Sequence, residues 1–146
     1  MSRLTSTLLN GSKPPGMYRW LSRAHPAAIS RELESTGWQL HVLEGGRAKD
    51  APTFFDECAR TLEFPAWFGR NWDALADCLS DLSWLSATTH VLLWERCRVL
   101  ARRDPVAWAN AGEIMAEKAA ESGRHGVPPL YVLLRGDGPG DSIPLL

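Results

Sequence analysis

The sequence predicts a single α/β domain built on a three-stranded parallel sheet packed with helices. Three short apolar runs indicate strands, at residues 38–43, 90–96 and 129–136, and helical segments separate them along the chain. Strands that alternate with helices pair in parallel, because each helix returns the chain to the same edge of the sheet. The 146 residues are enough for one domain with a hydrophobic core.

The domain lies between two predicted tails. Residues 1–22 are rich in Pro, Gly and Ser and indicate a flexible N-terminal tail, and residues 137–146 indicate an irregular C-terminal tail. Residues 23–136 form the predicted domain. It opens with a helix at about 25–36, which starts at a proline and ends before Gly37, a residue suited to a helix C-cap.

Capping residues mark two helices between the first and second strands. Asp50 and Pro52 predict the start of the first helix, and Pro65 ends it near Glu63. The second helix is predicted from about Trp72 to Leu82.

A further helix is predicted between the second and third strands, starting at Asp104 and Pro105. The arginine-rich segment before it, "WERCRVLARR", indicates a solvated loop whose cations balance acids elsewhere in the chain.

Composition excludes several classes of protein. Apolar residues make up 45% of the chain and charged residues 23%, which is typical of a globular domain. The net charge of −1 disfavours direct nucleic-acid binding, and no apolar run approaches the roughly 18 residues of a membrane span. The three cysteines and four histidines lack metal-ligand spacing, and no nucleophile or phosphate-binding motif is present. We therefore expect no catalytic residues, metal or cofactor, and a reducing cytoplasmic location.

The helix predicted at 72–82 has two contrasting faces. At 100° per residue, one face is apolar and carries Trp72, Leu75, Leu79 and Leu82. If the helix is continued to Trp84, the opposite side carries Asp73, Asp77, Ser80 and Trp84, with Asp81 at its edge. Carboxylates four residues apart repel each other, so helix stability does not explain this pattern.

Negative charge is concentrated around this helix. Residues 63–84 contain four acids and one base, whereas the whole chain is close to neutral. Trp67 and Phe68 precede the helix. For any single aspartate, an ordinary solvated helix face is the simpler interpretation. The acidic stripe with aromatic residues at both ends favours a binding surface for a cationic site on another protein.

The stretch "FPAWFGRNWDALADCL" resembles the barstar-like inhibitors of microbial ribonucleases. The shared features are a proline after a helix, an aromatic pair and the spacing G-x-N-x-D-A-L-x-D-C-L, and the apolar strand "VLLW" follows at the family's usual distance. The resemblance spans roughly residues 38–135. It implies a barstar-like fold, and a protein that blocks a ribonuclease active site with one helix and the loop before it.

The resemblance also implies roles for individual residues. Asp77 matches the central carboxylate that enters the cationic phosphate pocket, Asp73 is its neighbour, and Trp67 belongs to the binding loop. A carboxylate can replace an RNA phosphate because both accept bidentate hydrogen bonds from arginine. The expected contact residues are Asp77, Asp73, Trp67, Phe68, Gly69, Trp84, Asp81 and Glu117.

Departures from the family pattern leave the partner open. Arg70 stands where a well-known family member has an acid, Ala76 replaces a large aromatic residue, and the helix before Trp38 is additional. We expect a chain that is monomeric when free and binds one secreted or toxin-type ribonuclease. Two alternatives remain: an interaction module or immunity protein for a non-ribonuclease toxin, and a small enzyme using Asp137 or Asp141.

Overall fold

Four parallel strands form the centre of the computed structural model, which describes residues 7–8, 11–136 and 142–146. The strands lie side by side in the order β1-β4-β3-β2, and every neighbouring pair is parallel. Their bounds are Gly16–Arg19 for β1, Trp38–Glu44 for β2, Thr89–Glu95 for β3 and Leu130–Leu134 for β4. The predicted α/β class with a parallel sheet is confirmed, and the prediction of three strands is wrong.

The fourth strand, β1, lies within residues 1–22, the segment predicted as a flexible tail. It pairs with β4 from Gly16 opposite Tyr131 to Arg19 opposite Leu134. Tyr18 and the neighbouring Trp20 are buried. A run of four residues after two prolines is too short to show a periodic pattern, so the sequence did not indicate this strand.

The end of the chain lies beside β1. The backbone N–H of Arg19 donates to the carbonyl of Pro144 at 2.8 Å, and the carbonyl of Arg19 accepts from the N–H of Leu146 at 2.9 Å. Asp137 and Asp141, the residues named for the enzyme alternative, lie outside the described residues.

Five helices accompany the strands in the described part of the chain. They are α1 (Pro26–Glu34), α2 (Ala51–Thr61), α3 (Trp72–Leu79), α4 (Arg98–Arg103) and α5 (Pro105–Glu121), with a short 3-10 helix at Gly45–Arg47. The arginine-rich segment, predicted as a solvated loop, is therefore partly helical, as α4. Among the described helices, none has the length and apolar character needed to cross a membrane.

The sheet separates two hydrophobic clusters. Alternate residues of β3 point to opposite faces, so Val91 and Leu93 pack towards α1 while Leu92 and Trp94 pack towards the other helices. Burial on both faces explains the uninterrupted apolar run at the centre of β3, residues 91–94. The additional helix α1 covers one face of the sheet, and α2 to α5 cover the other.

A carboxylate–guanidinium pair joins α2 to the outer edge of β2. Arg60 donates to the buried carboxylate of Glu57 through Nε at 2.9 Å and Nη2 at 2.8 Å, and also reaches the carbonyl of Val42 at 3.1 Å. Glu57 accepts from the N–H of Glu44 at 3.1 Å. These bonds occupy polar groups of an edge strand and fix the position of α2. The bonds from Arg60 are the main reason that the pKa of Glu57 lies below its ordinary value.

Candidate partner-binding surface

Helix α3 begins and ends at residues that cap its backbone. The side chain of Asn71 accepts from the N–H of Ala74 at 2.7 Å, and Asp73 lies in the first turn, where a carboxylate is favourable. The helix ends at Leu79, earlier than the predicted Leu82, because the chain turns away there and Leu82 adopts a φ of +53°.

One face of α3 is anchored in the core. Leu75, Cys78 and Leu79 are fully buried, and α3 packs against α5. Asp73 and Asp77 are exposed one helical turn apart, and Asp81 is exposed just beyond the helix. We call these three residues the acidic surface. Because the opposite face of α3 is packed, the direction in which Asp73 and Asp77 point is fixed by the core.

No cation of the described residues forms an ion pair with the acidic surface. Arg70 is the nearest basic residue in sequence, but its guanidinium pairs with Asp56 of α2 at 2.9 Å. Asp81 accepts from the N–H of Ser83 at 3.2 Å, so it also shapes the turn after α3. Asp73 and Asp77 therefore carry negative charge that no described Lys or Arg side chain pairs with.

The field of these carboxylates reaches the buried thiol behind them. The pKa of Cys78 is raised to about 11, chiefly by burial and further by the charges of Asp77 and Asp81. Cys78 is therefore a protonated core residue at neutral pH. The described residues contain no group of three or more His, Cys, Asp or Glu side chains that could hold a metal ion.

Four rings next to α3 form what we call the aromatic cluster: Phe64, Trp67, Phe68 and Trp84. Trp67 is 62% exposed, and its ring lies edge-on to Trp84 with centroids 6.4 Å apart. Trp84 in turn meets Phe64 at 6.0 Å, and Phe64 meets Phe68 at 4.8 Å. Phe68 contacts Phe55 of the core at 6.1 Å. This chain of ring contacts connects the exposed indole of Trp67 to the core.

The structure corrects the predicted position of Trp84. It lies in the turn after α3, not on the helix beside the aspartates. Its indole Nε1 donates to the carbonyl of Leu62 at 2.9 Å, and the side chain is half-buried. Trp84 therefore supports Trp67 and ties the turn after α3 to the end of α2.

A comparison with protein-family profiles matches residues 38–134 to a family described as Barstar (barnase inhibitor). The chain belongs to the barstar family. The match covers well over half of the chain and contains the acidic surface and the aromatic cluster. It also contains β2, β3 and β4, the three strands that the sequence predicted, whereas β1 and α1 precede it.

The fold is also similar to part of the ORC2 protein of Aeropyrum pernix. A structure of its ADP form aligns with a TM-score of 0.63 at 13% identity, and one of its ADPNP-ADP complexes with 0.61 at 14%. The alignments cover 92% and 93% of this chain, which spans 39% of each ORC2 chain. At such low identity the likeness concerns the fold alone. A comparison with curated protein sequences gave no match.

Two further members of the expected contact set, Gly69 and Glu117, lie outside α3. Gly69 precedes the Asn71 cap, and a Cβ atom added to it would meet Nδ2 of Asn71 at 3.3 Å, a tight contact. Glu117 is exposed on α5, and its carboxylate pairs with the neighbouring Lys118 at 3.4 Å, not with any residue of α3. Asp73 and Asp77 are thus exposed on one helix, whereas Glu117 lies on α5 and pairs with Lys118; the role of each residue in partner contact stays a prediction.

Two structural supports of the surface were missed in the sequence. Phe64 is the first residue of the stretch "FPAWFGRNWDALADCL". Its only sequence signal as a support of Trp67 is the number of aromatic residues that follow it. The Arg70–Asp56 pair joins residues 14 positions apart, and no local pattern predicts it. Arg70 also has a φ of +50°, so the turn before α3 places a bulky residue in the left-handed region.

Proposed function

We propose that this protein inhibits a ribonuclease by placing the acidic surface in the enzyme's cationic active site. The proposal depends on the exposure and the unpaired charge of Asp73 and Asp77. Both are exposed on an anchored helix, and neither is neutralised by a cation of the described residues. Membership in the barstar family supports the same kind of partner.

The chemistry of such a complex follows from the two carboxylates. A ribonuclease binds the RNA phosphate through arginine, lysine or histidine side chains, and a carboxylate offers the same pair of acceptor oxygens. Asp77 is the central group of the proposal, because it lies in the last turn of α3, between Asp73 and Asp81. When the interface excludes water, these charge-assisted bonds become strong and removal of one partner becomes costly.

Trp67 supplies the apolar part of the proposed interface. Its indole is mostly exposed and is held through Trp84, so its ordering on binding costs little conformational entropy. A large aromatic anchor beside charged groups is typical of the residues that dominate protein–protein affinity. The inhibition is steric and electrostatic, with one chain binding one enzyme and no chemical step.

An inhibitor of this kind acts where the ribonuclease would harm the cell that makes it. We therefore place the protein in the cytoplasm as a free monomer, protecting the cell from a self-made ribonuclease or toxin that is destined for secretion.

The proposal is tested by RNA cleavage with a panel of purified microbial ribonucleases. We expect the wild-type chain to inhibit at least one enzyme at a one-to-one ratio. The double reversal Asp73→Lys/Asp77→Lys should abolish this inhibition. The reversal Glu34→Lys/Glu113→Lys changes the net charge equally at exposed sites outside the surface and should leave it intact. Equal loss in both variants, or no inhibition of any enzyme, contradicts the proposal.

One observation favours a second candidate, an immunity function against a toxin that is not a ribonuclease. Arg70 is exposed in the loop before α3 and forms an exposed ion pair with Asp56 of α2, so the loop presents both signs of charge. A partner site with mixed charge fits such a loop better than a uniformly cationic one. Identifying the protein that the wild-type chain captures from native lysate, and assaying it for RNA cleavage, separates the two candidates.

A further inference from the structure

A second site is suggested by a cavity at the carboxyl ends of the strands. The cavity has a volume of about 440 Å³, within the range of small-molecule sites. It lies where β1, β4 and β3 end, and the residues that line it are Arg19, Trp20, Leu21, Ser22, Arg23, Glu95, Leu134, Arg135 and Gly136. None of these residues belongs to the acidic surface or the aromatic cluster.

The topology of the sheet explains why a cavity forms there. After β1 the chain passes to α1, which covers one face, whereas after β3 it passes to α4 and α5, which cover the other. The two connections diverge on either side of β4 and leave a crevice above its end. In open parallel sheets, ligands bind in such a crevice, where the connections switch from one face to the other.

The charged groups of the cavity divide into a paired set and an unpaired set. Arg135 donates to both oxygens of Glu95, at 2.6 Å and 2.7 Å, and its Nη1 donates to the carbonyls of Ser22 and Ala24. Its guanidinium also lies over the ring of Trp20 at 5.3 Å. Arg135 is therefore committed to holding the loop after β1 against the sheet.

Arg19 and Arg23 are the unpaired set. Arg19 is the last residue of β1 and Arg23 lies in the loop that Arg135 holds, and neither side chain has a carboxylate partner among the described residues. Glu95 is the one acid of the lining and is already neutralised by Arg135. Arg19 and Arg23 thus bring to the lining of the crevice two positive charges that no carboxylate of the described residues pairs with.

We propose that this crevice binds a small molecule carrying a phosphate monoester. Two guanidinium forks need several acceptor oxygens at once, and a dianionic phosphate presents three, whereas a carboxylate presents two. Leu21 is 69% exposed at the cavity and offers an apolar contact for the organic part of the ligand. The site is independent of the proposed inhibition, because it lies on different elements and uses charge of the opposite sign.

The test is a titration of the full-length, isotopically labelled protein, followed by amide NMR at constant ionic strength. The probes are phenyl phosphate, benzoate and benzyl alcohol, which share a ring and differ in charge. We expect saturable shifts at residues 19–23 and 135–136 with phenyl phosphate. Benzoate should bind about tenfold more weakly, and benzyl alcohol should cause no saturable shift.

Matched variants assign the binding to the two arginines. Arg19→Gln and Arg23→Gln should each weaken phenyl phosphate binding by about tenfold, because each removes a charge-assisted contact. Arg31→Gln removes the same charge from an exposed position on α1 and should leave the affinity unchanged. Absence of saturable shifts, equal affinity for benzoate, or equal weakening in Arg31→Gln overturns the proposal.

Discussion

The carboxylates of this protein fall into two groups with opposite surroundings. Glu57 and Glu95 are each held at two points by an arginine, and both join separate elements of the fold. Asp73 and Asp77 are exposed on α3 with no such partner in the described chain. The chain has 16 basic and 17 acidic residues, so basic residues are plentiful. The lack of Lys and Arg in α3 therefore reflects where they occur in the sequence, not a shortage of them. The first group stabilises the fold, and the second is available to a partner.

The comparison predicts a large loss of stability when a paired arginine is removed. Arg135→Met leaves the partly buried Glu95 without its cation and frees two carbonyls of the loop after β1. We expect the free energy of unfolding to fall by about 3 kcal/mol in chemical denaturation. Arg31→Met on α1 is the control and should cost less than about 0.5 kcal/mol. A loss of under 1 kcal/mol in Arg135→Met would mean that the pairing contributes little to the fold.

Two buried histidines, His41 and His90, should make the stability of the fold depend on pH. His41 Nδ1 lies 3.1 Å from the carbonyl of Thr61, so this nitrogen carries the proton, and His41 Nε2 accepts from His90 Nδ1 at 3.0 Å. His90 Nε2 is buried and has no hydrogen-bond partner in the part of the chain that the structure describes. Burial, and then His41, lower the pKa of His90 to about 4, and burial lowers that of His41 as well.

Stability should therefore fall as the pH drops from about 6.5 towards 4. In that window the unfolded chain takes up protons on these imidazoles and the folded chain does not, which favours unfolding by on the order of 2 kcal/mol. Denaturation curves across this range provide the measurement. His90→Gln should flatten the dependence, whereas His125→Asn, at an exposed turn, should not. An unchanged slope in His90→Gln would exclude the pair as its source.

In the aromatic cluster, substitutions should have smaller effects on stability, and the supporting ring of Trp84 should matter more than the exposed ring of Trp67. Trp84→Phe keeps a ring against Phe64 but removes the hydrogen bond to the carbonyl of Leu62, and should cost about 1 kcal/mol of stability. Trp67→Phe alters a largely exposed ring and should cost no more than about 0.5 kcal/mol in thermal or chemical unfolding. The reverse order of costs would contradict the supporting role of Trp84.

The smallest change in stability is expected at the acidic surface itself. Asp77→Asn removes one of two like charges a turn apart, so the free energy of unfolding should stay constant or rise by a few tenths of a kcal/mol. Glu57→Gln is the contrasting variant, since it weakens three bonds at the edge of β2 and should cost about 2 kcal/mol. If both variants lost the same free energy of unfolding, the distinction between paired, stabilising carboxylates and exposed, unpaired ones would be wrong.

Local sequence signals predicted those parts of the fold that local physics determines. Asp50 and Asn71 cap α2 and α3 as their side-chain types indicate, and the 100° spacing placed Leu75 inside and Asp77 outside. The end of α3 was predicted three residues late, because nothing in the sequence shows that Leu82 adopts a positive φ.

Features that depend on distant contacts were not predictable in the same way. The four residues of β1 are stabilised by pairing with β4, more than 100 positions later in the chain, and by burial of Tyr18 and Trp20. The position of Trp84 depends on its bond to Leu62, and the side chain of Arg70 pairs with Asp56 of α2. Each of these features depends on a contact between residues far apart in the sequence, and neither residue spacing nor composition specifies which residues will meet.

The most direct test of the account is the affinity of the complex with an inhibited ribonuclease. The dissociation constant is measured for the wild-type chain, for Asp77→Asn and for Glu34→Gln, which neutralises an exposed acid on α1. We predict that Asp77→Asn weakens binding by about 2 kcal/mol or more, roughly thirtyfold, while Glu34→Gln changes it less than about twofold. Equal affinities for the two variants would contradict the claim that the unpaired carboxylate of Asp77 occupies the partner's cationic site.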